Sequence, residues 1–369
     1  MLLAVVLLLL IFGSLLFHYL SPWYLTPLAS NWSAIDDTLN ITFWVTGFVF
    51  VAVNLFLAYC VYKFRYKEGN LAHYEPENKK LEGWLIGLTS LGIAAMLTPG
   101  LYVWADFINP PEDASIVEVV GKQWQWSYRY PGLDGKLGTA DTRHTTAANP
   151  FGVNPEDPNG QDDVLVTAGG LHLPINQPVK VLLRSQDVLH DFAVAQFRVK
   201  MDMVPGHVTS LWFTPTVLGK YDVLCEELCG VGHYKMRSFV VVETQESFNA
   251  WLQTMPTYAQ GVATEGSAAP IKGISLIEQG RLLANARGCV ACHSIDGASG
   301  IGPTWKGLFG KTETLADGST VVVDADYFKE SISNPNAKIV TGYAPMMPAS
   351  SFTEAEMAAL IAYVRDGLK

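Results

Sequence analysis

Two short stretches of this 369-residue chain hold its most chemically capable side chains. The first is Cys225-Glu226-Glu227-Leu228-Cys229-Gly230-Val231-Gly232-His233-Tyr234-Lys235-Met236, in which two thiols, an imidazole and a thioether fall within 12 residues. Soft sulfur combined with imidazole suits copper. Two cysteines on one tight loop can each bridge two metals, which would give a binuclear cluster. Such a cluster needs a second imidazole, and His190, ending Asp187-Val188-Leu189-His190, is the candidate. Two other readings of the same residues remain open. Cys225, Cys229, His233 and His190 could make a tetrahedral zinc site, which leaves Met236 without a role. Outside the cytoplasm, Cys225 and Cys229 could also form a disulfide.

The second stretch is Cys289-Val290-Ala291-Cys292-His293, the Cys-x-x-Cys-His signal for c-type haem attachment. Its thiols add to the haem vinyl groups, and the adjacent His then faces the iron. A redox dithiol is the competing reading, but the surrounding sequence lacks a thioredoxin-like context. A methionine as second axial ligand would raise the potential. Met346 and Met347 are both candidates, in Tyr343-Ala344-Pro345-Met346-Met347-Pro348.

The elements that must position these groups fall into three regions. Leu and Val dominate residues 1–20, and residues 41–62 and 85–104 are equally free of Lys, Arg, Asp and Glu. Each is long enough to cross about 30 Å of hydrocarbon as a helix. Trp23, Trp44, Trp84 and Trp104 sit where an interfacial aromatic belt is expected. Residues 1–20 could instead be a cleaved signal peptide, but a basic n-region and a clear cleavage site are missing, so retention is expected. The loop 63–83 carries Lys63, Arg65, Lys67, Lys79 and Lys80, whereas loop 21–40 has no Lys or Arg. The basic loop is therefore expected in the cytoplasm, with everything after about Asp106 outside the cell membrane. His18 and Cys60, in or near these runs, are expected to pack against neighbours.

From about residue 107 to 258, short β-branched and aromatic runs (116–120, 164–167, 179–184, 192–194, 208–213, 239–242) alternate with Gly and Pro, which predicts a β-sandwich. The polar stretch 132–163 reads as a surface insertion, with His144 solvated. His73, His172 and His207 have no motif around them and read as surface or structural residues. Residues 259–272 read as a Gly/Ala-rich flexible linker. In the last region, 273–369, helical spacing over 276–287 precedes the haem motif. Thr353 with Glu356 three residues later forms a capping-box pattern opening a C-terminal amphipathic helix.

The net charge of −10 argues against a nucleic-acid partner. It permits a basic protein partner steered by charge, and Asp187 and Glu226 beside the metal loop could orient one.

The segment Cys225–Met236 resembles the C-x-E-x-C-x3-H-x2-M loop of cytochrome oxidase subunit II. Gly121-Lys122-Gln123-Trp124-Gln125-Trp126-Ser127-Tyr128 resembles that family's aromatic segment, and Asp187–His190 its upstream His strand. The resemblance covers roughly residues 40–243 and implies a cupredoxin-like fold. It also implies that Cys225 and Cys229 bridge two coppers, the CuA centre. His190 and His233 would bind one copper each, with Met236 as a weak axial ligand and the Glu227 carbonyl as the sixth ligand. The Glu227 carboxylate would reach a magnesium shared with a catalytic subunit, and Trp124 would be the surface group that receives electrons. By composition alone, Trp124 and Trp126 read as packed aromatics. Glu82 resembles the acidic residue at the mouth of that family's proton path, although Glu82-Gly83-Trp84 is one residue shorter than the usual spacing; it could equally be a loop carboxylate among lysines.

Residues 273–369 resemble class I cytochromes c, an all-α fold whose Met ligand directly precedes Pro. That implies Met347 as the axial ligand and the Pro303 carbonyl as acceptor for the His293 ring. Together the two resemblances match caa3-type haem–copper oxidases. They imply a path from an external donor, such as a cytochrome c or a quinol-oxidising complex, to haem c, then CuA, then a haem–copper subunit that reduces oxygen to water and pumps protons. No catalytic group is expected on this chain. Two alternatives are an input subunit for a haem–copper nitric oxide reductase and a membrane-anchored periplasmic carrier. Co-purification with a polytopic haem subunit separates the carrier from the other two.

Overall fold

The computed structural model describes residues 2–21, 25–71, 76–146, 149–167, 169–265, 275–350 and 352–369. The expectations for Trp23, His73 and linker residues 266–272 lie outside the described residues.

The first compact unit holds three apolar helices: α1 (Leu2–Leu20), α2 (Ser33–Lys63) and α3 (Lys79–Ile108). All three are long and apolar enough to cross a membrane. The second and third outrun their apolar cores by a turn or more. Asn78 explains the start of α3, because its side chain accepts the Leu81 N–H and caps the helix. Trp32 packs against Phe107 with ring centroids 5.2 Å apart. Arg198, which belongs to this unit, donates from Nε and Nη2 to the two Asp36 carboxylate oxygens at 2.6 and 2.9 Å.

The second unit begins with ten strands: β1 (Ser115–Lys122), β2 (Gln125–Tyr130), β3 (Val164–Val166), β4 (Leu171–Pro174), β5 (Val179–Ser185), β6 (His190–Val194), β7 (Val199–Met203), β8 (Thr209–Phe213), β9 (Gly219–Leu224) and β10 (Arg237–Glu243). They form two five-stranded sheets, ordered β3-β2-β1-β5-β8 and β4-β10-β9-β6-β7. In β5, Val179, Val181 and Leu183 are buried and alternate with half-exposed residues, as a sheet with one face on the core requires. Residues of β2 and β6 are buried nearly throughout, as is the central part of β1 from Val117 to Gly121.

Buried charge accounts for part of β1 and β2. The Arg129 guanidinium reaches Glu118 Oε2 from Nε at 2.6 Å and Asp163 Oδ2 from Nη1 at 2.8 Å, and Arg184 Nε lies 2.6 Å from Glu118 Oε1. Burial pushes the Asp163 carboxyl up to about 6 in spite of Arg129.

The stretch 132–163 is more than a surface insertion. Phe151 and Val153 are fully buried with Val120 and Tyr258, and Asn149 bridges the Val153 N–H and C=O. His144 is half-buried rather than solvated. His172 stacks on Trp251 at 4.0 Å and hydrogen-bonds Glu243 at 2.8 Å, which is a structural role. After α4 (Gln245–Thr254), α5 (Tyr258–Glu265) is helical where a linker is expected; the Tyr258 and Ala259 amides donate to the Asp163 and Gln161 carbonyls.

The C-terminal region comprises α6 (Leu276–Ala286), α7 (Cys289–Cys292), the hairpin β11 (Thr312–Thr314)–β12 (Thr320–Val322), α8 (Ala325–Ser333) and α9 (Glu354–Ala362), which runs on through Tyr363–Gly367. Thr353 and Glu356 form the expected capping box of α9. α6 and α9 cross at Gly280, where an added Cβ would lie 2.0 Å from the Ala359 carbonyl oxygen, so only Gly permits this approach. Trp305, Phe328, Ile332, Leu360 and Val364 anchor the core.

Candidate metal and haem centres

The first centre forms where β6 and β9 meet the loop before β10. His190 opens β6 and is fully buried, and Cys225 follows β9 directly. Cys225 Sγ lies 3.7 Å from Cys229 Sγ and 3.9 Å from His190 Nδ1. Cys229 Sγ lies 3.6 Å from His233 Nδ1 and 3.8 Å from Met236 Sδ, and Cys225 Sγ lies 3.3 Å from the Glu227 carbonyl oxygen. The structure thus brings all six predicted donors together. Both cysteines are free thiols, and the ligand atoms of His190, Cys225 and Cys229 lie within 4.8 Å of one another. Two sulfurs between two imidazoles, with a thioether and a carbonyl beyond them, fit soft-metal chemistry.

Electrostatics prepare the pair. Burial opposes ionisation of Cys225, but hydrogen bonds from His190 and the Asp191 and Glu227 amides outweigh it and bring the thiol down to about 6. Burial, reinforced by the neighbouring Cys225, pushes Cys229 up to about 12. With the two sulfurs this close, ionisation of one thiol opposes ionisation of the other, and a bound cation favours both thiolates.

Asp187, beside the metal loop, holds the site together from within. Its Oδ1 accepts from His190 Nε2 at 2.8 Å, and its Oδ2 accepts the Gln123 amide at 2.8 Å. A carboxylate accepts, so Nε2 carries a proton toward Asp187, and Nδ1 is the ring nitrogen that faces Cys225. Glu226 is engaged with Lys200 at 3.3 Å.

Trp124 lies over the loop. Its Nε1 donates to the Cys229 carbonyl at 3.0 Å, and Gln123 Nε2 donates to the same oxygen at 2.9 Å. Trp126, by contrast, is buried against Phe192. An added Cβ at Gly232 would lie 2.3 Å from Trp124 Cδ2, so the indole needs glycine beneath it. Gly232→Ala is expected to displace the indole and to lower stability by about 1–3 kcal/mol, as overpacking does. Thermal unfolding followed by tryptophan fluorescence checks both effects. Gln123 and Gly232 escaped the sequence reading, because their partners are remote in sequence or defined only by packing.

The second centre is an apolar cavity lined by Cys289, Cys292, His293, Trp305, Tyr327, Phe328 and Met347, with Trp124 at its edge. His293 Nδ1 lies 2.7 Å from the Pro303 carbonyl. That oxygen can only accept, so Nδ1 is protonated and Nε2 is free for a metal. Burial holds His293 below its ordinary value, which keeps it neutral and ligating. An added Cβ at Gly302 would lie 2.7 Å from His293 Cε1, so the ring closes against bare backbone there. Burial pushes the Cys292 thiol up, with the Lys235 ammonium pulling the other way. Met347 packs against the core, whereas Met346 is 47% exposed. Paired thiols, a neutral oriented imidazole and a half-buried thioether fit a covalently held haem. Glu82, in the first turn of α3, is exposed.

A soft-metal loop on a β-sandwich, a haem-type cavity and membrane-length helices on one chain define a membrane-anchored electron-transfer protein. Residues 115–244 match the family model for the cytochrome c oxidase subunit II periplasmic domain, and residues 277–367 match that for cytochrome c. The "Alternative cytochrome c oxidase subunit 2" of Bradyrhizobium diazoefficiens is 60% identical over 256 residues, covering 69% of this chain and 92% of that protein. The "Cytochrome c oxidase subunit 2" of Alkalihalophilus pseudofirmus is 26% identical over 340 residues, covering 90% of this chain and 86% of that protein. The crystal structure of the periplasmic domain of subunit II (CoxB) of Bradyrhizobium japonicum aligns at 28% identity and TM-score 0.30, covering 40% of this chain and 96% of that one. This chain belongs to the cytochrome c oxidase subunit 2 family, extended by a cytochrome c domain. It is a copper- and haem-c-type subunit that carries electrons into a haem–copper oxidase, in association with that complex's other subunits.

Proposed function

We propose that electrons pass from an external donor to a haem at Cys289, Cys292 and His293, then by way of Trp124 to two coppers at Cys225 and Cys229, and on to the subunit that reduces oxygen to water. The observation that carries this reading is Trp124. Its indole borders the haem cavity and donates a hydrogen bond to the carbonyl of the metal-loop Cys229, so one ring touches both centres. When bound, the copper pair accepts and releases one electron at a time. His190 and His233 would hold one copper each, with Met236 and the Glu227 carbonyl completing the set. The Asp187 clamp on His190 keeps that ligand from reorienting, which limits rearrangement during transfer.

On this reading the Glu227 carboxylate, half-exposed at the loop, reaches a magnesium shared with the catalytic subunit. Glu82 lies at the mouth of a proton path, and the three helices span the inner membrane with both redox centres outside.

The test is oxygen uptake by the complex purified in mild detergent and driven by an artificial one-electron donor. Rapid, cyanide-sensitive uptake is expected; reduction of both centres without oxygen consumption would redirect the assignment to nitric oxide. For the axial ligand, Met347→Leu is expected to abolish the low-spin His/Met haem spectrum and Met346→Leu to preserve it, because only Met347 packs inward. The reverse result in the optical spectra of the two variants would move the ligand to Met346.

A further inference from the structure

The copper loop carries a cation that the route above does not use. Lys235 closes the short turn His233–Lys235, one residue before Met236, and is half-buried. The nearby Lys and Arg side chains have carboxylate partners, Lys200 with Glu226 and Arg237 with Asp222, but Lys235 has none among the described residues. Its ammonium reaches across to the haem-attachment segment instead. An added Cβ at Gly300 would lie 2.8 Å from the Cys292 carbonyl oxygen and 3.4 Å from Lys235 Nζ. The Gly302 amide donates to that same Cys292 carbonyl at 3.0 Å, so the turn facing Lys235 is tied to the haem-binding cysteine. Tyr234, Lys235, Val290, Ala291 and His293 line one shared depression between the copper loop and the attachment helix. Nearby, an added Cβ at Gly288 would lie 2.7 Å from Gln125 Oε1, so the attachment segment seats on the copper domain at a second point.

We propose that Lys235 is a positioning residue for the internal electron transfer: a copper-loop cation that rests on the Cys292–Gly300 turn and raises the potential of haem c from the copper domain's side. The inference rests on the haem-to-copper route proposed above. A positive charge beside a haem opposes its oxidation, which adds a further positive charge. In a half-buried setting the effect is only partly screened by salt. Among the described residues no carboxylate neutralises Lys235, so its field acts on the haem-attachment turn that it faces. Loss of the charge therefore favours oxidised haem and lowers its midpoint.

The test is a redox titration of haem c in the intact, metal-loaded complex, comparing wild type with Lys235→Arg, Lys235→Gln and Lys235→Glu. At fixed ambient potential, the oxidised-to-reduced ratio is expected to rise about fivefold in K235Q and by a further similar factor in K235E, and to stay near wild type in K235R. Intact haem and copper optical bands in each variant establish that both centres are assembled. Equal shifts in K235Q and K235E would indicate loosened docking and overturn the charge assignment, and so would no shift in either. Flash photoreduction of the wild-type haem tests the route separately. If no electron then reaches copper, the route fails, whatever the midpoints do.

Discussion

Replacing Cys225 or Cys229 by Ser is expected to strip the copper centre while leaving haem c in place. Each thiol is surrounded by other donors: Cys225 by His190, Cys229 and the Glu227 carbonyl, and Cys229 by His233 and Met236. A hydroxyl keeps the shape but supplies neither a soft donor nor an accessible anion, so the bridging role proposed for that position is lost outright. Outer-sphere changes at metal sites already cost about 10- to 100-fold in affinity or activity. Loss of a bridging thiolate is expected to exceed that, lowering donor-driven oxygen uptake on the order of a hundredfold or more. Metal analysis of the purified complex should show copper depleted at this subunit, while the haem c band keeps its intensity because Cys289 and Cys292 are untouched. Copper retained with an unchanged spectrum in either variant would reject the ligand set.

Arg129→Met is expected to be the most destabilising single change outside the metal loop. The guanidinium satisfies Glu118 and Asp163 simultaneously and donates to the Gly138 carbonyl at 2.9 Å, with both carboxylates almost wholly buried. A methionine fills much of the volume but leaves two acidic groups facing each other without their shared cation. Breaking a buried pair in this way costs about 3–5 kcal/mol. Arg184 still reaches Glu118, so Asp163 bears most of the penalty. Burial already raises the Asp163 carboxyl to about 6 with Arg129 present, and loss of the cation raises it further. The folded state then binds a proton that the unfolded chain releases at its lower, ordinary value. The variant is therefore expected to lose the most stability as pH rises from about 4 through and beyond 6, and to recover part of it in acid. Thermal unfolding of the full-length chain in detergent across that pH range measures both the loss and its sign.

Where chemistry and geometry are both local, the amino-acid order was sufficient. Cys225, Cys229, His233 and Met236 lie within one loop, and Cys289, Cys292 and His293 within one turn, so chain connectivity alone brings their atoms close. The same holds for Thr353 with Glu356, three residues apart, and for the apolar runs, whose length and lack of charge suffice for a membrane span. Four strands of the sandwich lie outside the predicted runs for a physical reason, and the short hairpin β11–β12 departs from the all-α expectation for the C-terminal region. β2, β7 and β9 do alternate apolar with polar residues, but Ser127, Arg129, Lys200, Asp202, Lys220 and Asp222 break them up, so none forms the continuous β-branched and aromatic run that marks the other strands. β4 is only four residues long. The 132–163 stretch looked solvated because it is rich in Asn, Asp and Gly. Those side chains mostly cap their own turns, and two apolar residues, Phe151 and Val153, provide its anchorage.

What only the tertiary structure decided is each contact that crosses the sheets. His190 and Trp124 are legible in the sequence, but the Asp187 clamp on His190, the reach of Gln123 and Trp124 to the Cys229 carbonyl from more than a hundred positions away, and the approach of Lys235 to the haem-attachment turn are not. Residue type and spacing determine which ligands a loop can offer. Strand pairing and register, set by burial of whole faces, determine which remote side chains complete the site, hold its tautomers and carry charge to it.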